Sequence, residues 1–417
     1  MTRARAAAAA LLAFVVTLPA VSARSQETKP VEIESVPSGI MRVLDDYGRA
    51  FQTKDRALLE GALGPVYKIS ALRAFDNAKD VPFKSFTVKA KTHSSGNLAY
   101  RRVRALYPGK EVANYQVTES STLVVESQAF EEDGAFTFVR DGPRPGDRYD
   151  GWRLASTSDL DIIGFFSPYH LWDNGPVSVL RSEHFVLLTH PDVAEEMRSV
   201  LQVAERAYAK ATDWWPRPVA ERYVIIVPST TEELGALFHA TIDLEKFVAF
   251  VAAGSDQETG WEPTGPRLFV HLSHLRNYDG TGQLEILAHE LLHAITRPLS
   301  GPHIPVWVEE GLANAGGGAG ARPSLAREGP LPVEFVSDEQ FIKGPVREIM
   351  IRYDQAQVAI ETLIERFDTA ALARFYERLG SARVVAGTDT YHVGRAIEDA
   401  LDWTEEEWLT AWRERLG

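Results

Sequence analysis

Two neighbouring stretches decide how this chain reads: GQLEILAHELLHAIT, Gly282–Thr296, and PVWVEEGLA, Pro305–Ala313. In the first, Leu284, Leu287, Ala288, Leu291, Leu292 and Ile295 recur at the spacing of an apolar helix. His289 and His293 are four residues apart, so both imidazoles leave one face, one turn from each other. Two neutral imidazoles placed in this way can chelate a single zinc ion. Glu290 is turned by about 100°, which keeps it out of the coordination sphere but within reach of a water held there. A plain core helix whose histidines bond to backbone carbonyls would carry the same residues.

The downstream stretch bears on that choice. A zinc ion held by two histidines needs a third protein ligand and an open fourth position. The chain contains no cysteine, so that ligand must be His, Asp or Glu. A third histidine following a glycine turn would fall at position 299, which is Leu299; His303 is out of that spacing. Glu309 and Glu310 open or sit within a second helix, and the loop before them is long enough to bring that helix back beside the first.

Length and composition frame the rest. A chain of 417 residues, 45% hydrophobic, is long enough for two domains with sizeable cores. Its formal charge of −14, without a Lys/Arg-rich block, excludes nucleic acid as an expected partner. MTRARAAAAALLAFVVTLPAVSARS has a basic start (Arg3, Arg5), an apolar core (Ala6–Ala20) and a small-residue end (Val21-Ser22-Ala23), so residues 1–23 read as an export signal. The expected location is therefore secreted, periplasmic or cell-surface, with no stable membrane insertion once the signal is removed.

A polar linker, residues 24–38, precedes a helix–break–helix pattern. Ile40, Val43, Leu44, Tyr47 and Phe51 lead to a break at Thr53-Lys54-Asp55, with Asp55 as N-cap, and Leu58, Leu59 and Leu63 follow. Asp45 and Asp46 read as solvated. FKSFTVKAKTHS, LAYRRVRALYP, VANYQVTESSTLVVES, AFTFVRD and GWRLAS then read as short strands. The fold class is α+β, with a first domain at 39–166, a linker at 167–176 (SPYHLWDNGP) and a second domain at 177–417. In the second domain SEHFVLLTH, ERYVIIVPS, FVAFVAAGS and PRLFVHLSHL read as strands, and the chain after Gln283 as mostly helical.

Two resemblances follow from these residues. The Tyr-x-x-Ala-Phe-x-x-x-Asp helix and the closing Gly-Trp-Arg-Leu strand resemble the NTF2-like (cystatin-like) cone, whose ligand or partner here is open. His-Glu-x-x-His followed by Pro-x-Trp-φ-x-Glu-Gly-φ-Ala resembles the gluzincin metallopeptidases of the bacterial peptidase MA-like group, over roughly 177–416. That resemblance implies one Zn2+ per chain on His289, His293 and Glu310, with Glu290 as general base. It also implies that Tyr353, in a Tyr-x-x-small helix start, donates to the oxyanion; Tyr391 and His392 are rivals for this role. Glu309 would be a surface or supporting carboxylate, and Asn314 a possible partner of a ligand imidazole or an exposed polar residue. FVAFVAAGS lacks the Gly-x-Met-x-Asn of the related aminopeptidases. The expected enzyme is thus an endo- or oligopeptidase acting on peptide or protein. A non-catalytic zinc-bound binding or scaffold protein, and a cell-wall or small-molecule hydrolase, are the alternatives.

Overall fold

The computed structural model describes residues 15–17, 36–93, 98–142, 145–238, 247–253, 255–256, 262–263, 265–301, 304–318, 323–329, 338, 341, 343–381 and 393–417. Most of the leader stretch, and His303, Tyr391 and His392, lie outside these residues. The first described element is a short strand, β1 (Val15–Thr17), inside the apolar run read as a leader.

The helical stripe Ile40, Val43, Leu44, Tyr47 and Phe51 is the buried face of α1 (Ser38–Thr53). Lys54 is left-handed (φ 59°), and Asp55 caps α2 (Arg56–Ala62) by accepting from the Leu58 amide at 3.0 Å. A third helix, α3 (Lys68–Asn77), completes the group. Four antiparallel strands in sequential order follow: β2 (Phe83–His93), β3 (Glu111–Leu123), β4 (Phe130–Arg140) and β5 (Trp152–Ser156). Register shifts in β2 and between Thr137 and Phe138 of β4 bend this sheet, and it curls around α1. The α+β class of the chain is therefore as expected.

Two expectations fail in this half. LAYRRVRALYP is no strand: Leu98–Ala105 is a helix, α4, because Tyr100 and Val103, three residues apart, both pack against Ala135 and Leu160. Asp46 is not solvated but fully buried. Its carboxylate accepts from Tyr149 Oη at 2.8 Å and from the guanidinium groups of Arg49 and Arg148 at 2.9 and 3.1 Å.

The second half is built on a mixed sheet in the order β1-β9-β10-β8-β7-β6. Its strands are β6 (Ser178–Arg181), β7 (Phe185–Thr189), β8 (Tyr223–Val227), β9 (Ala249–Ala253) and β10 (Arg267–Val270). Strands β7, β8 and β10 run parallel, while β6 is antiparallel to β7 and β9 is antiparallel to β10. β1 lies parallel along the outer side of β9, with Val15 opposite Val251. The last part of PRLFVHLSHL leaves the sheet as a four-residue helix, Leu272–Leu275. A long helix, Ala194–Trp214, packs on β6, β7 and the helix Gly280–Thr296 that carries HELLH. The helices Val306–Gly317, Val346–Arg366, Thr369–Gly380, Val393–Leu401 and Glu405–Leu416 finish the chain.

The linker 167–176 is not an exposed tether. Leu171–Asn174 is helical, with Leu171 and Trp172 buried, and Asn77 Nδ2 donates to Trp172 O at 2.9 Å. The two halves are also bolted by Arg267 of β10, which forks Glu126 of the first half at 2.7 and 2.9 Å.

Candidate metal centre

The HELLH helix begins at Gly280 because Asp279 accepts from the Thr281 and Gly282 amides. From Ile286 to Thr296 every residue is buried, as the long helix Ala194–Trp214, strands β9 and β10, and the helix Val306–Gly317 close round it. Pro305 precedes the latter helix, and Gly318 ends it in a left-handed conformation (φ 77°). Small residues set how deep this helix sits. A Cβ on Gly317 would stand 3.0 Å from the backbone of His289, and one on Gly311 would stand 2.6 Å from Ala356 O. The run EEGLANAGG therefore lets one helix press on both of its neighbours, which carries Glu310 in toward the histidines.

The outcome is a convergence of three side chains. His289 Nε2 and His293 Nε2 are 3.0 Å apart, and Glu310 Oε2 lies 3.3 Å from the first and 3.6 Å from the second. Four ligands at zinc's usual bond length stand about 3.3 Å from one another at the corners of a tetrahedron. The three separations match one face of such a figure. Among the described residues this is the single group of three or more side chains gathered closely enough to hold a metal ion. A metal site at His289, His293 and Glu310 thus fits the donor set.

The surroundings have the electrostatics of a site that takes a cation. His289, Glu290, His293, Glu310 and Tyr353 are each at most 3% exposed. Both oxygens of Glu290 are shut from solvent and accept no hydrogen bond. Burial, reinforced by the charge of Glu310, pushes the Glu290 carboxyl well above the usual carboxylate range. Burial also acts to raise Glu310, but His293 and His289 outweigh it and hold that carboxyl below its ordinary value. His293 is lowered by burial, which keeps its ring neutral and able to coordinate.

Tyr353 is drawn to the same place. Burial, then Glu310, then Glu290 raise its phenol well above an ordinary tyrosine, so it stays protonated as a donor. Its position differs from the expected helix start: the helix begins at Val346, two turns earlier, behind Pro345. Phe341 rests against its ring at 5.0 Å.

Asn314 is buried one turn past Glu310 but does not fix the His289 tautomer. His289 Nδ1 is buried without a hydrogen-bond partner. Glu309 is not a surface carboxylate. It accepts from Ser300 Oγ at 3.3 Å and Tyr376 Oη at 3.4 Å, with Arg297 Nη1 at 4.0 Å, and burial raises it to about 7. Neither Ser300 nor Tyr376 carried a sequence signal, because nothing in their spacing connects them to Glu309.

Compared with known proteins, the chain matches no family model and no curated protein.

Proposed function

We propose that the chain is an exported zinc-dependent metallopeptidase of gluzincin type, cutting peptide bonds within a peptide or protein. The observation that carries this reading is the triangle of His289 Nε2, His293 Nε2 and Glu310 Oε2 beside a carboxylate, Glu290, whose oxygens have no other partner. Zinc on those three ligands would supply Lewis acidity, lowering the pKa of water and polarising a carbonyl. Glu290, whose carboxylate oxygens have no other partner, would take a proton from that water and hand it to the departing amine. Tyr353 supplies a neutral hydrogen bond where negative charge gathers on the carbonyl oxygen. The leader-like residues 1–23 support export, and the NTF2-like reading of the first half remains part of the proposal.

One observation favours a second reading, a zinc-bound scaffold without turnover. Structural zinc sites are closed and catalytic ones keep an open position, and here all five central side chains are almost wholly buried. Against it stands Glu290, which a purely structural site has no use for. Two measurements separate them. Metal content of the purified chain should be one zinc, and a digest of unstructured proteins and peptide libraries should show metal-dependent cleavage. Stoichiometric zinc without cleavage of any peptide would favour the scaffold, and absence of bound metal would reject both.

A further inference from the structure

The helix Val306–Gly317, which brings Glu310 to the histidines, is held by two kinds of contact. Gly311, Gly316 and Gly317 let it lie close to its neighbours; a Cβ on Gly316 would stand 2.5 Å from the Leu292 side chain. Small residues set depth, but they offer nothing that grips the helix against turning about its own axis. Trp307 packs among Trp408 and Trp412, with ring centroids 5.7 and 6.1 Å away, and such apolar contacts fix no single rotation. Rotation matters here. A carboxylate about 6 Å from the axis moves by about 1 Å for each 10° of turn, while metal–ligand distances hold to about 0.2 Å.

Glu309, turned by about 100° from Glu310, supplies a directional contact. Ser300 Oγ and Tyr376 Oη stand 2.7 Å apart, and both face Glu309 Oε1, at 3.3 and 3.4 Å. Two hydroxyls carry two protons. One spans the bond between them, and the other is left to donate to the carboxylate. Both hydroxyls are themselves fixed. Ser300 closes the turn after the HELLH helix, its N–H donating to Arg297 O at 3.0 Å. Tyr376 lies on the helix Thr369–Gly380, edge-on to Trp215, and its neighbour Glu377 is forked by Arg217 at 2.6 and 3.2 Å. These two supports also press on each other, since a Cβ on Gly380 would stand 1.7 Å from Leu299 O.

We propose that Glu309, through Ser300 and Tyr376, is the positioning residue of the metal centre. It locks the rotation of its helix to the end of the HELLH helix, and so sets where Glu310 meets His289 and His293. The proposal rests on the reading of those three side chains as metal ligands.

The test compares affinity with stability. Zn2+ is titrated into the metal-free full-length chain against a chromophoric chelator, and Co2+ takes its place for absorption spectra. Glu309→Ala should weaken Zn2+ binding by roughly 10–100-fold and shift the Co2+ d–d bands. Tyr376→Phe keeps the ring, removes the hydroxyl and should weaken binding less. The two together should cost no more than Glu309→Ala alone, because both cut one linkage. Glu309→Gln still accepts from a hydroxyl through its amide oxygen, so it should return wild-type affinity and bands. Melting of the metal-free chains in EDTA measures the part of each change that is stability alone. Variants that melt lower yet bind Zn2+ and absorb with Co2+ as the wild type does overturn the proposal by itself. A Glu309→Gln variant as weak as Glu309→Ala does so too. A wild type that binds no Zn2+ overturns the metal centre and this proposal with it.

Discussion

Two buried polar clusters divide this molecule, and they are built on opposite terms. Around His289 and His293 the polar atoms face one another with gaps: the Glu290 oxygens and His289 Nδ1 have no partner. In the seam between the two halves, Glu119, Glu132, His170 and Asp173 answer one another. His170 Nε2 meets Glu119, its Nδ1 is 4.0 Å from Glu132, and its backbone N–H donates to Asp173 at 2.7 Å. Beside them lies a cavity of about 30 Å³, bounded by Glu132, Trp172, Arg267 and Phe269, with room for about one water. A cluster that satisfies itself holds a fold together. One left short of partners has donors free to hold a metal ion.

The sharpest way to break this contrast is Glu290→Gln. If Glu290 is the base, kcat should fall by roughly 10²–10⁴-fold while zinc content stays at the wild-type level. A peptide-cleavage assay beside elemental analysis reads both. Turnover near wild type would move the base to another residue, and loss of the metal would show Glu290 to be structural.

The seam should respond in stability instead. Glu126→Ala leaves the Arg267 guanidinium buried, with one remaining bond, to Ser121 O at 3.2 Å. Removing one partner of a buried ion pair costs about 3–5 kcal/mol. Urea unfolding should show that loss, with the zinc stoichiometry of the folded chain unchanged. A loss below about 1 kcal/mol would mean that the pair behaves like an exposed one.

A third substitution probes how the metal group is assembled. Gly311→Ala would put a methyl against Ala356 O, and overpacking of this kind costs about 1–3 kcal/mol. Because the strain falls beside Glu310, zinc affinity should drop along with stability. Competition with a chelator measures the first and thermal melting the second. Lower stability at unchanged affinity would separate the depth of this helix from the ligand geometry.

These clusters also differ in how far the sequence disclosed them. His289, Glu290 and His293 share one helix, whose periodicity fixes their relative directions before any tertiary contact forms. Spacing alone leaves both Glu309 and Glu310 as candidates, and Glu310 is singled out only by the resemblance of Pro305–Ala313 to the gluzincin pattern. The seam offered no such spacing. Glu119 and Glu132 lie on different strands and His170 on the segment between the halves, so only the closed sheet brings them together. Asp46 was misjudged for the same reason, since Arg148 and Tyr149 reach it from a hundred residues further on. Leu98–Ala105 misled differently: β-branched and aromatic residues in a short basic run suggested a strand, while Tyr100 and Val103 were spaced for one side of a helix.

Acidity is the mildest probe of the difference. Burial opposes charge on His170, but Glu119, Glu132 and Asp173 together outweigh it and raise the ring to about 9. Burial raises Glu132 to about 7, with Glu119 and Asp173 adding to the effect and His170 and Arg267 opposing it. Both groups have folded values above their unfolded ones, so both bind protons more tightly when folded. Stability from Glu132 is therefore full below about pH 4.5 and lost as pH rises through 7, and that from His170 is full below about 6.5 and lost through 9. Because the two touch, they titrate as one set, and stability should fall continuously across that range. Tyr47, which Glu119 and Asp173 also face, stays protonated throughout and contributes no slope. Denaturant unfolding between pH 5 and pH 9 reads the decline, and Glu132→Gln, neutral at every pH, should flatten its lower part. With a cation bound, His289 and His293 would have no free lone pair to titrate in that range, so the difference between wild type and variant isolates the seam. An identical slope in both would place the titrating groups elsewhere and remove the seam's claim to a stored proton.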